Sequence, residues 1–77
     1  MATVRHLEHH QLKIEARHTE AEATYSIVKD REGVPYLQID TYGSADRKLL
    51  EKKSQSIRFS PEAIEELRAI LERFPRA

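Results

Sequence analysis

The sequence contains no cysteine and no tryptophan, and it has only two glycines and three prolines among its 77 residues. Without cysteine the chain can form neither disulfide bonds nor thiolate metal sites, two common means of stabilising very small domains. No stretch approaches the roughly 20 apolar residues of a membrane-spanning helix, and the first ten residues lack the apolar run of a signal peptide. We therefore expect one soluble, cytoplasmic domain, and a partner subunit to help stabilise so short a chain.

Motifs of catalysis are also missing. The sequence has no GxSxG motif, no glycine-rich phosphate loop and no cysteine nucleophile. His6, His9 and His10 are metal-ligand types, but their spacing is not that of HExxH and no distant cluster completes a site. Carboxylates such as Asp40 and Asp46 are too common on surfaces to indicate an active site. We therefore expect no enzyme, no metal, no cofactor and no small-molecule substrate.

Charge is balanced over the whole chain, with 13 basic and 13 acidic side chains, but it is unevenly distributed. Residues 1–42 have two more acidic than basic groups, whereas residues 43–60 contain five basic and two acidic groups. The five basic residues in the second range are Arg47, Lys48, Lys52, Lys53 and Arg58. This concentration indicates a surface for an anionic partner, and an ordinary solvated loop is the alternative.

Alternating apolar and polar residues predict four strands followed by one helix. Residues 11–17 alternate, although a helix remains open for them. Residues 23–29 and 34–42 predict a hairpin around a charged turn that contains Gly33. The alternation resumes at residues 54–59. The predicted fold is α+β in the order β-β-β-β-α, with a flexible start at 1–10, a four-stranded antiparallel sheet within 11–59 and a helix at 60–74.

The same alternation predicts the two sides of the sheet. Leu37, Ile39 and Thr41 form an aliphatic side that should face the helix as the core. Arg58 is expected on the opposite side together with Ser54, Ser56, Tyr36, Gln38 and Tyr42. Cations, hydroxyls and aromatic rings on one open face are the groups that bind single-stranded nucleic acid, because cations neutralise phosphates and rings stack on bases.

The helix has the clearest local signals. Ser60 is a favourable N-cap, Pro61 suits the first helical position, and Pro75 ends the pattern. Its apolar stripe comprises Ala63, Ile64, Leu67, Ile70, Leu71 and Phe74. Leu67, Leu71 and Phe74 are candidates for a homodimer contact, and packing in the core of one copy is the alternative.

The segment YLQIDTYGSADRKLLEKKSQSIRFSPEAIEELRAIL, residues 36–71, resembles the C-terminal half of PC4-type transcriptional coactivator domains, the p15-type single-stranded-DNA-binding family. The matching parts are the strand from Tyr36, the basic loop to Lys52 and Lys53, the strand before Ser60 and the acid-started helix. The resemblance implies a homodimer packed through its helices that binds single-stranded DNA or melted duplex in transcription regulation. It also implies phosphate contacts from Lys52, Lys53 and Arg58 and base stacking on Tyr36 or Tyr42.

The chain is also similar to short bacterial proteins that have been named methionyl-tRNA formyltransferase, but 77 residues leave no room for a formyl-transfer domain. We therefore predict sequence-independent binding of single-stranded DNA or RNA through Arg47, Lys48, Lys52, Lys53, Arg58, Tyr36 and Tyr42. The alternative is a dimeric protein-interaction module without nucleic-acid binding. Convergence of Arg58, Tyr36 and Lys53 on one surface would favour the first function, and neutralisation by Asp40 and Glu51 would favour the second.

Overall fold

The computed structural model describes residues 1–18, 20–42 and 53–75 of the chain. Its four strands form one sheet in the spatial order β1-β4-β3-β2, and a helix follows the last strand. The elements are β1 Ala2–Val4, β2 Ala23–Lys29, β3 Pro35–Tyr42, β4 Lys53–Phe59 and α1 Pro61–Glu72. The predicted α+β class with a C-terminal helix is therefore confirmed.

The predicted hairpin is confirmed and consists of β2 and β3. All seven residues of β2 pair antiparallel with β3, from Ala23 opposite Thr41 to Lys29 opposite Pro35. The carboxylate of Asp30 closes the turn by accepting hydrogen bonds from the backbone N–H groups of Glu32 (2.8 Å) and Val34 (3.0 Å). Gly33 has φ 82°, a conformation that glycine adopts without steric cost.

The predicted strand at residues 54–59 is confirmed as β4, which begins one residue earlier, at Lys53. It pairs antiparallel with β3, so that Ile57 lies opposite Ile39 and Phe59 opposite Leu37. A register irregularity interrupts this pairing at Thr41 and Tyr42. Because directly paired residues point to the same side of a sheet, this register aligns the aliphatic side chains of three strands on one side.

The prediction for the first strand is wrong. Residues 11–18 form neither a strand nor a helix, and Leu12 and Ile14 are 65% and 87% exposed. The first strand is instead Ala2–Val4, which pairs parallel with β4, so the sheet is mixed rather than antiparallel. Lys, Glu and Ala in residues 11–17 favour strands poorly, whereas Thr3 and Val4 are β-branched.

The N-terminal segment is also held beyond β1, in a region predicted to be flexible. The carbonyl of Val4 accepts a hydrogen bond from the N–H of Ser60 (3.0 Å), and the carboxylate of Glu66 accepts one from the N–H of Leu7 (2.8 Å). Residues 4–7 are thereby fixed to the junction between β4 and α1.

The helix begins as predicted and ends at Glu72, two residues before the predicted end. The Ser60 hydroxyl accepts a hydrogen bond from the N–H of Ala63 (3.2 Å), which confirms the N-cap. α1 contacts β3 and β4, and Ile64 of the helix lines a groove together with Ile27 of β2 and Leu37 of β3. The helix therefore lies on the aliphatic side of the sheet. Within the described ranges, no helix combines the length and the apolar character needed to cross a membrane.

Burial differs from the prediction that the aliphatic side forms the core. Leu37, Ile39 and Thr41 are only half-buried, and the buried hydrophobic residues of the described chain are Tyr42 and Ala63. A helix of 12 residues covers only part of the sheet, which explains the incomplete burial. On the other side, β3 lies between β2 and β4, and the long side chains of Arg58 and Lys53 from β4 contact its polar residues Gln38 and Asp40.

Candidate functional site

The side of the sheet opposite the helix is the polar face. Its register places Arg58 of β4 between Thr3 of β1 and Gln38 of β3, and Ser56 opposite Asp40. The polar face comprises Thr3, Thr24, Tyr36, Gln38, Asp40, Tyr42, Lys53, Ser56 and Arg58, together with Arg5, which reaches Tyr36 from the segment after β1. The sequence prediction that Arg58, Ser56, Tyr36 and Gln38 share a side is confirmed.

A chain of hydrogen bonds crosses the polar face from Arg58 to Lys53. The Nε and one terminal nitrogen of Arg58 donate to the side-chain oxygen of Gln38 at 2.9 and 2.6 Å. The Gln38 amide nitrogen donates to both carboxylate oxygens of Asp40, at 3.0 and 3.2 Å. Lys53 forms an ion pair with the same carboxylate, at 3.3 Å. Because every contact has a defined donor and acceptor, the chain fixes the orientation of the Gln38 amide.

Asp40 is the acceptor at the centre of this chain and is only 2% exposed. The hydroxyl of Ser56 also donates to it. This hydrogen bond is the largest cause of a lowered pKa for Asp40, and the contacts of Gln38 and Lys53 act in the same direction while burial opposes them. Asp40 is therefore ionised at neutral pH, and its negative charge is satisfied inside the protein rather than presented to a ligand.

Arg5 and Tyr36 form a second contact on the polar face. The Arg5 guanidinium donates to the Tyr36 hydroxyl (3.3 Å), and its central carbon lies 5.7 Å from the centroid of the tyrosine ring. This geometry is that of a cation–π interaction. The hydrogen bond with Tyr36 is the main cause of a raised pKa for Arg5, which therefore remains a cation. The pair places an aromatic ring and an exposed positive charge together.

Tyr42 lies at the far end of β3 and is 8% exposed. Its hydroxyl is hydrogen-bonded to that of Thr24 (2.9 Å) on the neighbouring strand. Stacking of a base needs an accessible ring face, which Tyr42 does not offer in this conformation. Tyr36 is half-buried and is the better placed of the two rings predicted to stack.

The cations of the polar face keep donors for a ligand. Arg58 uses its Nε and one terminal nitrogen on Gln38, so that hydrogens on its other terminal nitrogen remain for an anion. The Lys53 side chain is 48% exposed although it is paired with Asp40. A recess of about 180 Å³ adjoins Arg58 and is lined also by Thr3, Gln38 and Ser56. The contacts with Gln38 and Asp40 therefore occupy only part of the donor capacity of Arg58 and Lys53.

The predicted binding residues thus divide into two groups. Tyr36, Lys53, Arg58 and Tyr42 lie on the polar face, where Lys53 and Arg58 also have internal partners. Arg47, Lys48 and Lys52 fall outside the described residues, as does Glu51. The two conditions set out from the sequence are therefore both met in part: the cations and the tyrosine share a face, and Asp40 offsets one of the cations.

Sequence reasoning missed Arg5 and the role of Asp40. Arg5 belongs to a segment predicted to be flexible, and only the parallel pairing of β1 brings it to Tyr36. The alternation of β3 places Asp40 on the correct side of the strand, but nothing local indicates that its carboxylate is buried. The spacing of Gln38 and Asp40, two residues apart in a strand opposite serine and arginine, is the signal that could have indicated the network.

The helix residues predicted to form a dimer contact are accessible to different degrees. Leu67 is half-buried, whereas Leu71 and Phe74 are 59% and 67% exposed. Dimerisation through them remains a prediction. Among the residues that the structure describes, no group of histidine, aspartate or glutamate side chains is arranged to hold a metal ion.

Comparisons with models of known protein families, with curated protein sequences and with solved structures found no significant match.

Proposed function

We propose that the chain is a non-catalytic module that binds single-stranded nucleic acid, without sequence preference, on the polar face. The observation that carries the proposal is the presence of Arg5, Lys53 and Arg58 together with the Tyr36 ring on one side of a sheet. Cations would neutralise successive phosphates, and Tyr36 would stack on a base. A cytoplasmic location is part of this proposal, and cell fractionation would check it.

The internal network has a defined role in this proposal. Gln38 and Asp40 hold Arg58 and Lys53 in position, so that binding a phosphate orders fewer side chains. The same network limits affinity, since Asp40 offsets part of the positive charge of Lys53. We therefore expect weak binding that depends strongly on salt, with support from the basic residues Arg47, Lys48 and Lys52 of the adjoining segment.

The test is a titration of a fluorescently labelled single-stranded oligonucleotide at several salt concentrations. The combined change of Arg5, Lys53 and Arg58 to glutamine should weaken binding and reduce the slope of log K against log salt by about 2, since each phosphate contact contributes about 0.7. A matched variant changes three exposed basic residues outside the polar face, Lys13, Arg17 and Arg73, to glutamine. Equal effects of the two triple variants would show that only net charge matters and would reject the site.

Stacking has its own comparison. Tyr36→Ala should weaken binding by about 1–3 kcal/mol at constant salt slope if the ring stacks on a base. Tyr25→Ala is the control, because Tyr25 lies on the other side of the sheet and is 75% exposed. An unchanged affinity for Tyr36→Ala would restrict the site to phosphate contacts.

The second candidate function is a protein-interaction module, and the exposure of apolar side chains favours it. Tyr25 and Ile27 on the sheet, Leu71 on the helix and Phe74 just beyond the helix end are all more than half exposed. The helix end also borders a wide, open groove whose opposite side is formed by residues 7–10. Absence of oligonucleotide binding at low salt, with the fold intact, would favour this function over the first.

A further inference from the structure

β2 is an edge strand without the usual protection of an edge. The order β1-β4-β3-β2 leaves one side of β2 unpaired by any strand of the described chain. Natural edges are protected by short strands, proline, bulges or charges. β1, at the other edge, has three residues, but β2 has seven, with no proline, no irregularity in its pairing and a single charge at its end, Lys29.

The direction of the backbone groups of β2 follows from two hydrogen bonds at its ends. The N–H of Tyr42 donates to the carbonyl of Glu22 (3.0 Å), and the N–H of Asp30 donates to the carbonyl of Val34 (3.1 Å). Bonded and non-bonded pairs alternate along an antiparallel ladder. The residues of β2 that bond to β3 are therefore the even-numbered ones. The N–H and C=O groups of the odd-numbered ones point to the open edge: Ala23, Tyr25, Ile27 and Lys29.

Side chains on the same residues are exposed as well. Tyr25 and Ile27 are 75% and 70% exposed and lie on the helix side of the sheet, beyond the part that the helix covers. We propose that a second copy of this chain covers this edge, with the β2 strands of the two copies paired antiparallel about a two-fold axis at Ser26. The two sheets then form one continuous sheet.

The register of this pairing is determined by the sequence of β2. Hydrogen bonds between the two copies require odd-numbered residues to face each other, because only these direct their backbone groups outward. An axis at Ser26 meets this condition: the two Ser26 residues form a non-bonded pair, Tyr25 faces Ile27 on both sides of the axis, and Ala23 faces Lys29. All seven residues of β2 then overlap. The four bonded pairs supply roughly eight backbone hydrogen bonds. Aromatic and β-branched side chains also form favourable cross-strand pairs.

A second copy fits this edge better than an unrelated peptide, because β2 is complementary to itself when it is paired antiparallel about Ser26. Every polar backbone group that points outward meets its counterpart, and the exposed side chains of Tyr25 and Ile27 pack beside each other across the axis. A shift by one residue would place odd-numbered residues opposite even-numbered ones, whose backbone groups point away from the open edge, and the hydrogen bonds would be lost. The two-fold axis is perpendicular to the sheet, so the polar faces of the two copies lie on the same side of the continuous sheet. The pairing of the β2 strands does not depend on the proposed binding of nucleic acid.

The first experiment measures mass by light scattering and sedimentation without nucleic acid. The chain should be a dimer, and Ile27→Pro should weaken self-association at least about tenfold, because it removes an outward N–H and leaves the bonds between β2 and β3 intact. Ile27→Lys, which keeps the backbone unchanged, should act in the same direction. Leu71→Lys is the matched control on the exposed helix face and should remain dimeric. A monomeric wild type, or dissociation by Leu71→Lys alone, would overturn the proposal.

The second experiment measures amide hydrogen exchange along β2 by NMR. In the wild type, the amides of Tyr25 and Ile27 should be protected as well as those of Thr24, Ser26 and Val28. In Ile27→Lys, the amide of Tyr25 should exchange rapidly while the even-numbered amides stay protected, which also shows that the variant is folded. Rapid exchange of Tyr25 in the wild type would overturn the proposal. Protection of Tyr25 at monomeric mass would assign the edge to residues 11–17 of the same chain instead.

Discussion

At the scale of single residues, the polar face depends on one buried carboxylate. Asp40 accepts hydrogen bonds from Gln38 and Ser56 and forms an ion pair with Lys53. These contacts position the side chains that are available to an anionic ligand. The same carboxylate reduces the positive potential of the face, so the network should lower the affinity for the proposed nucleic-acid ligand while it fixes the geometry of the cations.

The lowered pKa of Asp40 predicts a specific dependence of stability on pH. A carboxyl group whose pKa is lower in the folded state stabilises the fold above its unfolded pKa of about 3.9, and this contribution is lost as the pH falls through the folded pKa. Asp40→Asn should therefore lower the urea midpoint of unfolding at pH 7, and the difference from wild type should shrink below pH 4. The measurement is urea unfolding followed by circular dichroism at pH 7, 4 and 2.5.

A control for this effect is Glu32→Gln, which changes an exposed carboxylate of the hairpin turn that lies outside this network and should alter stability little at any pH. A constant difference between Asp40→Asn and wild type over the whole pH range would contradict the prediction, since it would mean that the charge of Asp40 contributes nothing to stability.

At the scale of elements, the predictions that succeeded rest on local signals. The hairpin is encoded by β-branched and aromatic residues on both sides of a turn that contains Gly33, and α1 is encoded by Ser60 and Pro61 followed by an apolar stripe. β1 could not be predicted, because three residues carry too little pattern and its partner β4 is more than 50 residues away. Residues 11–17 show the opposite case, in which alternation exists but strand formers are few.

The N-cap of α1 gives a prediction at this scale. Ser60 is fully buried, its hydroxyl accepts from the N–H of Ala63, and its own N–H binds Val4, so it joins the helix to β1. Ser60→Ala should destabilise the fold by about 1 kcal/mol. For a domain of this size that loss lowers Tm by about 4–8 °C. Thermal unfolding followed by circular dichroism measures it.

Two variants make the N-cap measurement specific. Ser60→Thr keeps an acceptor oxygen and should retain most of the stability, whereas Ser54→Ala removes an exposed hydroxyl from β4 and should have little effect. An equal loss of stability in Ser60→Thr and Ser60→Ala would point to packing of the buried side chain rather than to capping.

At the scale of the whole molecule, a single copy is poorly packed. The radius of gyration of the Cα atoms is 14.6 Å, compared with about 11.5 Å for a compact domain of this length. Tyr25, Ile27, Leu71 and Phe74 remain exposed, and among the described residues only the hydrophobic side chains of Tyr42 and Ala63 are buried. Sequence patterns predicted which apolar residues share one side of a strand or helix. They could not show how much of the apolar side of the sheet a helix of 12 residues covers.

The proposed pairing of β2 strands predicts that thermal stability depends on protein concentration. If folding and association are coupled, each tenfold rise in concentration favours the dimer by about 1.4 kcal/mol. For two chains of this size that corresponds to a rise in Tm of about 3–6 °C. Scanning calorimetry of the wild type over a hundredfold range of concentration would measure this slope. In Ile27→Lys the Tm should be lower and independent of concentration, because an unpaired edge leaves each copy with only its own small core. A concentration-independent Tm for the wild type, at concentrations where light scattering shows a dimer forming and dissociating, would mean that the edge contributes no stability to the fold.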